Sequence, residues 1–212
     1  MRIAIIGAGN VGTALARGLK GKGHSLTLGV RDPSSPKALA LAGQSDAALA
    51  FPAAAAAASD IVILALPWWG AEEAVKGLGD LSGRIVIDCT NPLAMVDGEL
   101  VLSMGHNSSG GETIAGWLPG ARVVKTLNTV GAEMMEDNAA LAHRPVMFMA
   151  GDDAAAKACV AEILCDLGFE PLDAGDITKS RLLEPFGMVW INQSLFRGKG
   201  RNWAFAAVEA AG

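Results

Sequence analysis

The residues with the clearest chemical purpose stand at the N-terminus. There Ile3-Ala4-Ile5-Ile6 runs directly into Gly7-Ala8-Gly9-Asn10-Val11-Gly12. A β-branched apolar run followed by this glycine spacing reads as a strand, a tight turn and the start of a helix. Gly7 permits the turn, Gly9 lets a pyrophosphate approach the backbone, and Gly12 lets the helix sit close to the strand. The helix then offers free N–H groups and a partial positive charge to the phosphates. The chemistry this implies is dinucleotide binding. The plainer alternative is a glycine-rich strand-to-helix turn with no ligand.

The end of the second predicted strand decides which dinucleotide. A count of about 20 residues past the glycines points to Asp32 as a ribose-binding acid. Asp32, however, lies beyond the strand and just before Pro33, in a turn. The strand end, Gly29-Val30, is not acidic. Arg31 follows and can fork onto a 2′-phosphate, with Ser34, Ser35 and Lys37 as further donors. NADP(H) is therefore expected over NAD(H).

No acid–base or metal constellation accompanies this motif, so neither a catalytic side chain nor a metal ligand is assigned. His24, His106 and His143 are scattered, and none sits in a HExxH or triad-like setting. His24 suits a turn cap, and His106 lies in a glycine-rich loop. Ser109 and Glu112 have the spacing of a capping box. Cys89, Cys159 and Cys165 have no metal spacing and read as reduced thiols, mostly buried, in a cytoplasmic protein.

The elements that must hold these residues alternate between strand and helix, which predicts a doubly wound, mostly parallel Rossmann-type α/β sheet. Strands are expected over 3–6, 25–30, 61–66, 84–88, 122–127, 146–150 and 169–172. Helices are expected over 11–22, 36–42, 71–76, 112–117 and 154–167. The alanine tract over 53–58 reads as a short helix packed tightly on the sheet. Residues 91–111, rich in Gly, Ser, Asn and Asp, read as a long functional loop. Leu182, Leu183, Phe186, Val189 and Trp190 recur at helical spacing, as core or dimer interface. The 212 residues divide into a nucleotide-binding domain over 1–150 and a small C-terminal α/β extension over 151–212, for substrate or dimerisation.

Half of the residues (51%) are hydrophobic, enough for a packed core, and the net charge is −5. With no basic stripe, nucleic acid is not expected as a partner. Neither a leader peptide nor a membrane span is expected.

Taken together, these stretches resemble a known family. Gly7 to Gly12, Gly29-Val30-Arg31, Val62-Ile63-Leu64-Ala65-Leu66-Pro67-Trp68 and Val124-Lys125-Thr126-Leu127-Asn128-Thr129 carry the likeness. Gly151-Asp152-Asp153, Pro171-Leu172-Asp173-Ala174-Gly175 and Ser180-Arg181 continue it to about residue 185. The chain looks like the NADPH-dependent reductases of the deazaflavin coenzyme F420. It is also similar to the NADPH domain of the STEAP-type metalloreductases. The resemblance implies a homodimer and direct hydride transfer between nicotinamide and a stacked deazaflavin or flavin (FMN or FAD). It also implies site residues. Gly9, Asn10 and Val11 would hold the pyrophosphate, and Arg31 the 2′-phosphate. Leu66, Pro67 and Trp68 would lie beside the adenosine-side ribose and the chain toward nicotinamide. Asn91 and Pro92 end the next strand, and Thr129, Val130 and Gly131 would sit near the nicotinamide. The sequence departs from the family after Arg181, in its last residues, and in the length of the 91–111 loop.

An oxidoreductase of this kind needs positioning more than acid–base groups, because the cofactor carries the chemistry. The competing readings are a dehydrogenase of a small metabolite and a non-catalytic NADPH sensor. The basic residues Lys179, Arg181, Arg197, Lys199 and Arg201 suggest a seat for an anionic acceptor tail, or else a solvated or dimer-facing cluster.

Overall fold

A computed structural model describes residues 1–210. The chain order is β1 (Arg2–Ile6), α1 (Asn10–Gly18), β2 (Ser25–Gly29), α2 (Pro36–Ser45), β3 (Ala48–Ala50) and α3 (Pro52–Ala57). It continues with β4 (Ile61–Leu64), α4 (Ala71–Lys76), β5 (Ile85–Asp88), β6 (Leu93–Val96), β7 (Glu99–Leu102) and α5 (Gly110–Trp117). It closes with β8 (Arg122–Lys125), α6 (Ala132–Glu136), β9 (Val146–Ala150), α7 (Ala154–Asp166), β10 (Glu170–Gly175) and α8 (Ser180–Ile191).

Eight strands form one sheet in the order β10-β9-β8-β5-β4-β1-β2-β3. The first six strands to pair are parallel, and β9 and β10 run the other way, joined to β8 at Lys125 and Ala150. The Rossmann-type α/β architecture expected from the alternating pattern is the one found. The chain order reverses on either side of β1, and such a switch point opens a crevice at the carboxyl ends of the strands. β4 and β5 are buried throughout, as their continuous apolar runs require in a sheet covered on both faces. One face packs on α1, α2 and α7 through residues such as Leu15, Leu41, Val160 and Ile163. The other packs on α3, α4 and α5 through Ala55, Val75 and Ile114. β9 and β10 continue the main sheet, so residue 150 falls between two paired strands. No helix among the described residues is long and apolar enough to cross a membrane.

Some local expectations need correction. The first helix stops at Gly18, four residues early, because the chain turns through Gly21 and Gly23, both at positive φ. The second strand ends at Gly29 rather than Val30, and the short strand β3 was not expected at all. The 91–111 segment is not all loop. It contains the antiparallel hairpin β6–β7, whose turn, Asp97-Gly98, holds both residues at positive φ. That dipeptide is a strong hairpin signal.

The alanine tract packs as closely as expected. A Cβ added to Gly29 would lie 2.7 Å from the Ile6 side chain and 3.2 Å from the Pro52 backbone. Ala55 and Ala56 are fully buried on this surface, whereas Ala54 is exposed. Replacing Ala55 by Leu is expected to lower the unfolding free energy by about 1–3 kcal/mol through overpacking. Ala54→Leu is expected to change it by less than about 0.5 kcal/mol. Urea denaturation of the two variants checks the contrast.

Candidate functional site

The glycine turn has the shape that a phosphate cradle needs. Gly7 lies at φ +107°, and its N–H donates to the Gly29 carbonyl at 3.0 Å. A Cβ at Gly7 would stand 2.5 Å from the Ala65 carbonyl oxygen, and one at Gly12 would stand 1.9 Å from the Gly7 oxygen. A Cβ at Gly9 would meet nothing within 4 Å. Two glycines thus make the close approaches, and the third leaves open space in front of α1. That helix starts from Gly9 with no side-chain cap and no acid in its first turn. Its N–H groups remain available to an anion.

One strand away, the Val30 N–H bonds to the Ala50 carbonyl, and Arg31 follows, exposed. Asp32 is taken up locally: its Oδ1 accepts from the Ser34 N–H at 2.9 Å and the Ser34 hydroxyl at 2.6 Å. These bonds, the hydroxyl's foremost, hold its carboxyl below the usual range despite a small desolvation cost. Ser35 caps α2 by accepting from the Ala38 N–H. Arg31 and Lys37 have no ion-pair partner among the described residues. The turn therefore presents two uncommitted cations while its one acid is engaged.

Beyond β1, the loops after β4, β5 and β8 form the other wall. Leu66 is half-buried, Pro67 exposed, and Trp68 half-buried and stacked on Trp117 with ring centroids 5.6 Å apart. The Asn91 amide donates to the Asn128 carbonyl at 2.8 Å, and the Asn128 amide returns a bond to Asn91 Oδ1 at 3.0 Å. Pro92 is buried beside them. Thr129 and Val130 are buried too, and the Thr129 hydroxyl points at the Met147 sulfur, 3.5 Å away. These two offer backbone, not side chain, to a ligand. Gly131 lies against the Trp190 ring.

Beneath this wall is a cluster that sequence reasoning missed. Lys125 is fully buried, with Nζ 3.0 Å from Asp88 Oδ2, 3.1 Å from Glu184 Oε1 and 2.5 Å from the Thr90 carbonyl. Glu184 also accepts from the Gly110 and Gly111 N–H groups at the start of α5, each at 3.0 Å. Burial alone would lower the Lys125 pKa, but the charges of Asp88 and Glu184 outweigh it and the net direction is up. The neighbouring Cys89 thiol is pushed far up, by burial and then by Asp88, which leaves it inert as a nucleophile. The available signals were a lysine closing the apolar run Val123-Val124, an aspartate closing Ile85-Val86-Ile87, and a glutamate within the stripe of α8.

The C-terminal cations are mostly committed elsewhere. Arg181 is bound to Glu112 at 2.5 Å, Lys179 to Asp176 at 3.3 Å and Arg201 to Glu133 at 2.6 Å, while Lys199 lies over Trp203. Only Arg197 of the five has no charged or aromatic partner among the described residues. The Arg181 bond, chiefly, holds Glu112 below the usual carboxyl range. That clamp between α5 and α8 stabilises the fold above the ordinary glutamate pKa and is lost as pH falls through the lowered one. Ser109 also caps α5, accepting from the Glu112 N–H as the sequence spacing implied. His24 pairs with Asp166 at 2.9 Å. His106 is exposed, and no group of acids, histidines and cysteines among the described residues is arranged to hold a metal.

Comparisons with known proteins agree with this architecture. The family model for coenzyme F420-dependent NADP oxidoreductases matches residues 2–92. A solved protein of Arthrobacter sp. FB24, assigned as an F420-dependent NADP-reductase, is 35% identical, with a TM-score of 0.90. The match covers 99% of this chain and 100% of that one. Metalloreductase STEAP3 of Rattus norvegicus is 27% identical over 183 residues, 86% of this chain. The match spans only 36% of that protein's length. A reductive aminase of Aspergillus terreus, solved with NADPH and ethyl-5-oxohexanoate, is 25% identical with a TM-score of 0.68. There the match covers 93% of this chain and 63% of that one.

Removing Lys125 leaves two buried carboxylates facing each other with one fewer partner. Lys125→Met is expected to cost about 3–5 kcal/mol, the range for breaking a buried ion pair from one side. Double replacement of Lys125 and Glu184 by Met is expected to cost less than the sum of the two single changes, as read in a denaturation cycle.

Proposed function

The chain belongs to the coenzyme F420-dependent NADP oxidoreductase family, and from that premise we propose that it exchanges hydride between NADP(H) and the ring of a stacked deazaflavin (coenzyme F420) or flavin (FMN or FAD). The observation that carries the nucleotide half is the pairing of an open Gly9 with an uncommitted Arg31 one strand away. In this reading Gly7 and Gly12 shape the turn, and the backbone of Gly9, Asn10 and Val11 receives the pyrophosphate. Arg31 and Lys37 take the 2′-phosphate, with the guanidinium fork supplying most of the preference, and Ser34 joins them by turning its hydroxyl away from Asp32. Leu66, Pro67 and Trp68 flank the ribose and the chain beyond it. Asn91, Pro92, Thr129, Val130 and Gly131 line the nicotinamide end.

These residues orient the reacting rings and keep water out. They need hold no proton, because hydride moves directly between stacked rings once the carbons approach to about 3–3.5 Å. We assign residues 151–212 to the acceptor side and to pairing of two copies. α8 supports the pairing, since it buries Leu183 and Trp190 but leaves Leu182 and Val189 exposed along one face.

The test is NADPH oxidation at 340 nm against coenzyme F420, FMN, FAD and ferric chelates. Turnover with a deazaflavin or flavin supports the reading, and turnover with ferric chelates alone overturns the stacked-ring acceptor. Arg31→Ala is expected to raise KM for NADPH about 10–100-fold, the worth of a charge-assisted contact, while leaving KM for NADH unchanged. Equal loss for both donors would place Arg31 outside the 2′-phosphate site.

A further inference from the structure

Five tryptophans occur in the chain, and three of them meet in one place outside the glycine turn. Trp68, Trp69 and Trp117 wall a cleft of about 740 Å³, with Met104 and Thr113 beside them and Glu73 on the rim. That volume lies within the range of small-molecule sites. Trp69 is 88% exposed, more than any other large apolar side chain among the described residues. A single exposed tryptophan needs no explanation. One placed beside a stacked aromatic pair, in a shallow cleft largely open to solvent, provides a flat surface for another ring.

The cleft also adjoins the proposed nicotinamide end. The Trp68 ring lies 3.2 Å from the point where a Gly110 Cβ would stand, and Pro92 Cδ lies 3.4 Å from the same point. Trp68 and Pro92 therefore both border Gly110, and the turn over Trp68–Gly70 contacts β6, the strand that follows β5.

Charge says what kind of ring fits. Lys76 is the one cation lining the cleft, and it is bound to Glu72 at 2.6 Å. Glu73 has no ion-pair partner among the described residues, so the rim is net negative. Arg181, which does not line the cleft, is held by Glu112. An anionic substituent would meet a carboxylate here and no free cation.

We propose that this cleft receives a flat aromatic ring of the electron acceptor, and that the portion it takes carries no anionic group. The inference rests on the oxidoreductase reading above and specifies its acceptor. Flat stacking on Trp69 supplies the affinity, and the Glu73 carboxylate selects against phosphorylated tails on this side.

Riboflavin and FMN are the probes, since they share a ring and differ in a phosphate. Each is titrated by fluorescence quenching into the full chain saturated with NADP⁺, and NADPH binding is measured separately. Riboflavin is expected to bind at least about threefold more tightly than FMN. Trp69→Ala is expected to weaken riboflavin about 5–10-fold, on the scale of one aromatic stacking contact. Trp69→Phe restores most of that affinity, and Glu73→Gln narrows the gap between the two flavins. NADPH affinity stays unchanged in all three variants. FMN binding as tightly as riboflavin, no effect of Trp69→Ala, or no flavin binding by a protein that binds NADPH each overturns the proposal. Failure of the wild-type chain to bind NADPH at all would instead overturn the nucleotide reading beneath it.

Discussion

An ammonium with no exposure at all constrains the rest of the molecule. Lys125 ends β8, and the two carboxylates that answer it come from different elements, Asp88 at the end of β5 and Glu184 on α8. Taking such charges out of water costs several kcal/mol each, and only good geometry with further hydrogen bonds repays it. Two carboxylates against one ammonium leave a buried excess of negative charge. The backbone N–H groups of Thr90, Gly110 and Gly111 offset it. Two central strands and two helices are thereby tied to one another, and none can shift alone without stranding a charge.

The site inherits its far wall from this cluster. Asp88 and Lys125 stand opposite each other in the sheet register, and three residues past each comes an asparagine. Asn91 and Asn128 then bond reciprocally, so the two loops leave the sheet in matched positions. The near wall has a different origin. It is set by sterics, through the backbone contacts that only glycine allows at positions 7 and 12. Helix N-termini are divided in the same way. Ser35 caps α2, and Ser109 together with Glu184 occupies the start of α5, whereas α1 begins at Gly9 with no side chain over it. Asp153 caps α7 as well, while α3, α4, α6 and α8 share with α1 a start that no side chain caps; among these, α1 alone follows the glycine turn.

Features that depend on neighbouring residues were legible in the sequence. The strand–turn–helix around Gly7 to Gly12, the buried strands β4 and β5, the close-packed alanines and the Ser109 cap all follow from local spacing. The hairpin over β6 and β7 was equally local, since Asp97-Gly98 announces it, but it was obscured by the polar composition around it. The cluster around Lys125 could not be read this way. Its members are separated by 37 residues between Asp88 and Lys125, and a charged residue at the end of an apolar run ordinarily marks the place where a strand reaches solvent. The C-terminal cations show the same limit. A count of basic residues suggested an anion seat, yet Glu112, Asp176 and Glu133, distant in sequence or hidden in a turn, neutralise three of them.

Local preference is overruled most plainly beside the site. Leu127 sits at φ +58° although it is a buried leucine, a conformation that costs about 1–3 kcal/mol. Its neighbour Asn128 holds the strained turn in place with three bonds, two to Asn91 and one to the Leu183 carbonyl at 3.0 Å. Gly187 makes the last contact possible, because a Cβ there would stand 2.7 Å from the Asn128 carbonyl oxygen and would hold α8 away. The loop that carries Thr129, Val130 and Gly131 is therefore shaped from the opposite side by a helix about 55 residues downstream. Without α8 the turn at Leu127 has no reason to stay strained. The C-terminal helix thus belongs to the architecture of the site itself, and the stability of the buried charge cluster and the shape of the crevice are set by the same contacts.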